Sequence, residues 1–396
     1  MGTVSHLHDR TRPVAHRIAS EEEALDIART LAGEFAPGAS DRDINRVLPY
    51  AELDLLAQSG LLGITVPSEY DGIDVSNAVL ADVIAILAEA DSAIAEVPQS
   101  HFQFIEALRL AGTEEQKKFF YARALAGDLF AGAIIEQPRA ENGQPTHLTP
   151  DGIGHRINSR KYYSTGVLFS DWVVVSALDL QEKPVFALLS RKADGLQVID
   201  DWDGFGQRTA ASGTTVLQNV YVNADSVVRD KTAEPHSTIA SIGQIIHAGI
   251  DLGIARAAFA DLLGFLRSKA ATDIIGDPLA HSRIGQIVVA IEAATAMLER
   301  AGKKIDFAQV NGNDDQIAQA VVSAAAARAT TSRTALDVAD ALFELAGPAA
   351  TKIGLNFDRH WRNIRTHMAD EPLRRIHREL GTTQLRSTSI APGNPA

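Results

Sequence analysis

Two polar, glycine-bearing stretches near the middle of the chain have the composition of ligand loops. One is Lys161-Tyr162-Tyr163-Ser164-Thr165-Gly166; the other is Gly204-Phe205-Gly206-Gln207-Arg208-Thr209, running on to Ser212-Gly213. Their hydroxyls can donate or accept hydrogen bonds. Arg208 offers a permanent planar cation suited to phosphate or carboxylate. A Tyr-Ser-Thr run is also ordinary strand composition, and an arginine after a turn is ordinary surface charge. Outside the loops, His101 (in Gln99-Ser100-His101-Phe102) and His367 are imidazoles able to take or give a proton near neutral pH. A lone histidine in an apolar helix is also a common packed core residue, and His247 is read that way. Arg267, at the end of a long helix, either meets an anion or offsets the helix dipole.

These residues need a frame. Asp171–Ala177, Pro184–Leu189 and Thr214–Val222 are short β-branched runs bounded by Gly, Asp, Pro and Lys, the pattern of strands and turns. On either side of them the apolar residues recur at helical spacing. Ser20-Glu21-Glu22-Glu23 has the form of a capping box ahead of a stripe of Leu25, Ala28, Leu31 and Phe35. Further helices are expected from Pro49 to Leu61, Ser76 to Ala90, His101 to Leu110 and Gly112 to Gly127. Three long ones follow the β module: Ser237 to Lys269, Asp277 to Phe307 and Asp314 to Val338, with Ala339 to Gly347 extending or following the third. Their broad, alanine-rich faces suit a four-helix bundle. The expected organisation is a flexible tail over 1–18, a helical domain over 19–128, a middle β domain over 129–230, a helical bundle over 231–386 and a second tail over 387–396.

The totals exclude several classes. A chain of 396 residues with 45% hydrophobic and 22% charged content is an ordinary globular protein with a large core. A formal net charge of -13 argues against nucleic acid or an anionic membrane surface as partner. With no cysteine, thiolate catalysis and cysteine-held metals are excluded. There is no metalloprotease-type His-Glu-x-x-His run, and the glycines at 204–206 are not followed by a helix, so neither a metal site nor a dinucleotide fingerprint is expected. The polar start of the chain and the lack of any spanning apolar run point to the cytoplasm.

The order helical block, β module, helical bundle resembles the acyl-CoA dehydrogenase fold: α+β, with an N-terminal all-α domain, a middle β-barrel-like domain and a C-terminal four-helix bundle. Local motifs carry the likeness in sequence order. They are Val66-Pro67-Ser68-Glu69-Tyr70-Asp71-Gly72, Gly112 to Gln116, Asn158 to Gly166, and Phe205-Gly206-Gln207-Arg208 onward. The flavin-dependent monooxygenase branch, of the dibenzothiophene monooxygenase and sulfur-acquisition oxidoreductase type, is the closer likeness. Its marks are residues 161–166, Asp201 to Thr209 with Ser212-Gly213, and Asp358-Arg359-His360-Trp361-Arg362-Asn363 through His367.

That resemblance implies a homo-oligomer, expected to be a tetramer. It would use reduced FMN from a separate reductase, with dioxygen, to oxygenate a small organosulfur substrate through a C4a-hydroperoxyflavin. Tyr163, Ser164, Thr165, Arg208 and Ser212 fall where the family holds flavin, and Arg267 where it reaches cofactor phosphate across a subunit boundary. His101, Ser164 and His367 fall on the reactive side. The branch tends to carry a His-x-x-His-Asp-Pro turn; here His367 is kept and Asp370 stands at the second histidine. The FAD-holding Gln-x-x-Gly-Gly turn is replaced by Phe343-Glu344-Leu345-Ala346-Gly347, which favours FMN over FAD. The loop that holds acyl-CoA in dehydrogenases is replaced by Ile135 to Asn142. Two other readings use the same residues: an FAD-dependent acyl-CoA dehydrogenase with Glu371 as base, and a non-catalytic scaffold of the same fold.

Overall fold

The structure is a computed structural model that describes residues 14–136, 145–234, 236–268, 276–369 and 371–387. Most of both expected tails, most of the Ile135–Asn142 loop and Asp370 lie outside the described residues. The first block holds α1 (Glu21–Asn45), α2 (Tyr50–Gln58), α3 (Asn77–Ala90), α4 (Ser92–Glu96), α5 (Gln99–Ala111) and α6 (Glu114–Leu125). Ser20, Ser76 and Thr113 cap α1, α3 and α6, each satisfying a backbone N–H that the helix leaves unpaired. Only Thr113–Gln116 completes a reciprocal capping box. At α1 the Glu23 carboxylate accepts from Ala19 N–H instead of from the cap.

Two sheets follow. The first has the order β1 (Phe130–Ala133), β5 (Trp172–Leu178), β6 (Pro184–Ser190), β9 (Val227–Arg229), with β1 parallel to β5. In the second, β4 (Gly154–Tyr162) pairs with β2 (Ile135–Glu136), β3 (Leu148–Asp151) and β8 (Thr214–Val222), and β8 pairs with β7 (Leu196–Ile199). Lys161 is no ligand group. Its fully buried ammonium donates to Glu136 at 2.7 Å and to the Ser176 carbonyl at 2.8 Å, tying the two sheets together. A buried cation is tolerated when paired in this way.

The bundle consists of α7 (Ile239–Arg267), α8 (Pro278–Asn311), α9 (Asp314–Ala346), α10 (Asp358–His367) and α11 (Leu373–Ser387). α3, from the first block, packs against α7 and α8 as a bundle member. Gly253 permits this contact: a Cβ there would lie 2.5 Å from the Ala88 Cβ and 2.6 Å from the Ala85 carbonyl. The helical block and the bundle therefore share one continuous apolar core.

Candidate active site

The two ligand-loop stretches meet. Ser164 N–H donates to the Gly213 carbonyl (2.9 Å), Gly166 N–H donates to that of Ala210 (3.2 Å), and the Thr165 and Ser212 hydroxyls share a hydrogen bond of 2.8 Å. Three of the non-glycine residues at positive φ lie here: Tyr163 (52°), Gln207 (47°) and Ala211 (49°). Left-handed backbone is unfavourable for residues with a Cβ, and such strain persists where surrounding contacts enforce it. Tyr163 is exposed and meets the Trp202 ring edge-on at 6.2 Å. Ser164 is fully buried, and among the described residues its hydroxyl has no hydrogen-bond partner. An orphaned buried hydroxyl is costly, so this one is suited to a ligand heteroatom. Fit to a flat heterocycle rests on that hydroxyl, with Tyr163 and Trp202 as an adjacent wall.

The same loop grips the bundle. Gly206 lies so close to α10 that a Cβ would sit 2.1 Å from the Arg362 carbonyl and 2.5 Å from the Thr366 hydroxyl. Gln207 N–H donates to the Asn363 side chain at 2.8 Å. Residues 204–213 thus bridge the Ser164 turn to the end of α10, where His367 sits.

His367 is buried among partners. Its Nδ1 lies 2.7 Å from Asp251 Oδ1, and its Nε2 lies 2.8 Å from His247 Nδ1. Asp251 is wholly buried and also bonded by Arg328 and Ser332. Arg328 further donates to the carbonyls of His247 (2.8 Å) and His367 (3.2 Å). Burial alone would raise the Asp251 carboxyl, but Arg328 and His367 outweigh it and hold the group below its ordinary value. One turn before His247, Gln244 donates its amide to the Glu371 carboxylate. Across from them, Gln103 of α5 touches α7 at Gly243.

The structure places other expected residues away from the Ser164 turn. His101 is packed inside the first helical block. It is fully buried, with Nε2 2.7 Å from the Leu62 carbonyl and Nδ1 accepting from Phe130 N–H at 3.2 Å, stacked on the Phe130 ring. Gln103 lies about 200° further round the same helix, so the α5 face toward α7 belongs to Gln103 and not to His101. Arg208 does not join Ser164. It lines a small cavity with Glu89, Asp91 and His360, whose walls include none of residues 163–166. Arg267 is exposed at the far end of α7, about 30 Å along the helix from His247, so within one protomer it reaches nothing at this site. Glu344 pairs with Arg283 at 3.2 Å.

His247, Asp251 and Arg328 were not expected to act. The available signal was a polar stripe, Gln244, His247 and Asp251, on one face of an otherwise Ala- and Ile-rich helix.

Two buried imidazoles also set the acid limit of the fold. Burial pushes His101 down to about 4, and burial with the Arg359 charge does the same for His360. Both stay neutral in the folded chain while the unfolded chain protonates near 6.5. Stability is therefore full above that value and lost as pH falls toward 4, by roughly 3 kcal/mol for each histidine. Urea midpoints measured between pH 7 and 4 should fall accordingly, and H101F should flatten the decline.

Comparison with known proteins gives consistent relatives. The acyl-CoA dehydrogenase N-terminal domain family matches residues 19–128, and the acyl-CoA dehydrogenase C-terminal domain family matches residues 245–372. The chain is 30% identical over 386 residues to the probable FMNH2-dependent monooxygenase SfnC of Pseudomonas putida, covering 93% of this chain and 96% of that one. Among solved structures, FMN-bound TdsC from Paenibacillus sp. A11-2 superposes with a TM-score of 0.85 at 25% identity, covering 93% of this chain and 99% of that one. Methanesulfinate monooxygenase MsuC from Pseudomonas fluorescens superposes with a TM-score of 0.84 at 28% identity, covering 93% and 98%.

Proposed function

The chain belongs to the acyl-CoA dehydrogenase family, and from that membership we propose that it is a flavin-dependent monooxygenase acting on a small organosulfur substrate. Reduced FMN, when bound, supplies the two electrons that divide dioxygen, one oxygen atom going to the substrate and the other leaving as water. The cofactor would be held at the Ser164–Thr165 turn, with Tyr163 beside its ring. A separate reductase supplies it, and the proposed setting is the cytoplasm.

The observation that carries this reading is the unpartnered, buried Ser164 hydroxyl in a strained turn. The acyl-CoA dehydrogenase reading is weaker because Glu371, its base, is engaged by Gln244. Glu136, in the loop that would hold acyl-CoA, is likewise engaged by Lys161 and Thr146.

Ser164→Ala separates a ligand role from a folding role. The variant should bind FMN about tenfold more weakly, the loss of one good hydrogen bond. Its melting temperature should stay level or rise, because an unsatisfied buried group has been removed. Unchanged FMN affinity would count against the site. Labelled dioxygen, reduced FMN and a sulfinate or thioether substrate test the reaction itself; label drawn from water instead of dioxygen would overturn it.

We also propose a homotetramer, in which Arg267 reaches a neighbour's cofactor. Leu279, Val289, Phe307 and Val310 are exposed on α8, apolar surface of the kind that subunit contacts cover. Sedimentation gives the assembly directly.

A further inference from the structure

Two Asp–His pairs fasten α10 to α7. Asp261 meets His360 at 2.7 Å, with Arg359 on the same carboxylate. Asp251 meets His367 at 2.7 Å, with Arg328 on the same carboxylate. Among the described residues, the first pair pins the helix and ends there. The second continues: the far nitrogen of His367 is hydrogen-bonded to a second imidazole, His247, which is the half-buried member of the chain. Fastening a helix does not require that extension.

We propose that Asp251, His367 and His247 form a proton relay, with His247 as the catalytic residue facing the site and the other two as positioning residues behind it. The proposal rests on the monooxygenase reading for its purpose, which is to protonate the oxygen atom that leaves as water. It also accounts for the altered turn after His367, where Asp370 stands in place of a second histidine. The second imidazole comes from α7 instead.

In the proposed relay each proton has a hydrogen-bonded place. Asp251, ionised beside Arg328, accepts from Nδ1–H of His367. In the loaded state His367 also carries a proton on Nε2, donated to Nδ1 of His247, and His247 carries its own proton on Nε2. Donation moves the Nε2 proton of His247 to the departing oxygen, while the shared proton passes from His367 to Nδ1 of His247. Both rings end neutral, and His367 keeps its Nδ1 proton on Asp251. One proton leaves and one positive charge disappears from the pair. The tautomers follow from the partners, as for any relay anchored by a carboxylate.

Among the described residues, the groups facing the pair include Asp251 from α7, Arg328 from α9 and Glu371, held one turn away by Gln244; α5 offers the neutral Gln103. Burial first, then the His367 and Arg328 charges, hold His247 well below its ordinary range. His247 is therefore the neutral ring of the pair, and in the proposed relay the excess proton sits on His367 next to its carboxylate.

The test begins on flavin-free protein, by ring-nitrogen NMR of labelled histidines. Wild type should show both rings responding to one shared protonation, with a strongly deshielded His367 Nδ1 proton. His247→Gln should abolish the shared response, and Asp251→Asn should remove the deshielded proton. With reduced FMN and oxygen, His247→Gln should form product about 10²-fold more slowly, the low end for loss of a general acid, and lose the wild-type pH dependence. His360→Gln, the fastening pair, should lower stability without moving that profile. Rings that titrate independently, or a His247→Gln pH profile identical to wild type, would overturn the relay. Failure of wild type to oxygenate any sulfur compound would defeat the functional reading instead, and the ring titration would still decide the relay.

Discussion

Arg328→Met is expected to lower the free energy of unfolding by about 3–5 kcal/mol, the usual penalty for stranding one member of a buried ion pair. Arg328 is 2% exposed and Asp251 is wholly buried. Removing the guanidinium leaves a carboxylate without its countercharge and two carbonyls, of His247 and His367, without that donor. The folded-to-unfolded ratio should drop by about 10²–10⁴. Adding Asp251→Asn should restore part of the loss, because the stranded charge goes with it; a double-mutant cycle in urea measures the coupling. Strict additivity of the two losses would show that Arg328 acts by packing alone.

Gly206→Val should be the most damaging change for turnover at a position carrying no reactive group. The added carbons would overlap the Arg362 carbonyl and the Thr366 hydroxyl. Either the loop or α10 must retreat by about 1 Å, and a displacement of that size can reduce catalysis by about 10²-fold. The damage should reach both ends of the loop, weakening FMN binding at Ser164 and altering the His367 ring signals. Affinity measured by flavin fluorescence, together with ring NMR, checks both ends in one variant. A change at one end only would mean the loop does not couple them.

The architecture was legible because its periods differ. Runs such as Trp172–Val175 and Val216–Val222 alternate or saturate at strand length, while α3 and α7 repeat at helical spacing. The loop motifs at 161–166 and 204–213 were legible too, and they do meet. Direction of side chains was not. His101 and Gln103 are two residues apart on α5, and nothing local says which of them looks toward α7. Arg208 follows a residue with φ of 47°, a reversal that composition does not announce. Standing among Ile and Ala, His247 reads as packing; its hydrogen-bond partner, His367, lies 120 residues away.

The place of α3 has a consequence for how the molecule melts and how it could have been assembled. By chain position it belongs with the first helices, yet its apolar face fills the space between α7 and α8. Neither portion can be closed without the other, so the chain should lose its structure in a single cooperative step. Recombination at the apparent seam before the sheets would separate a helix from the partners it needs.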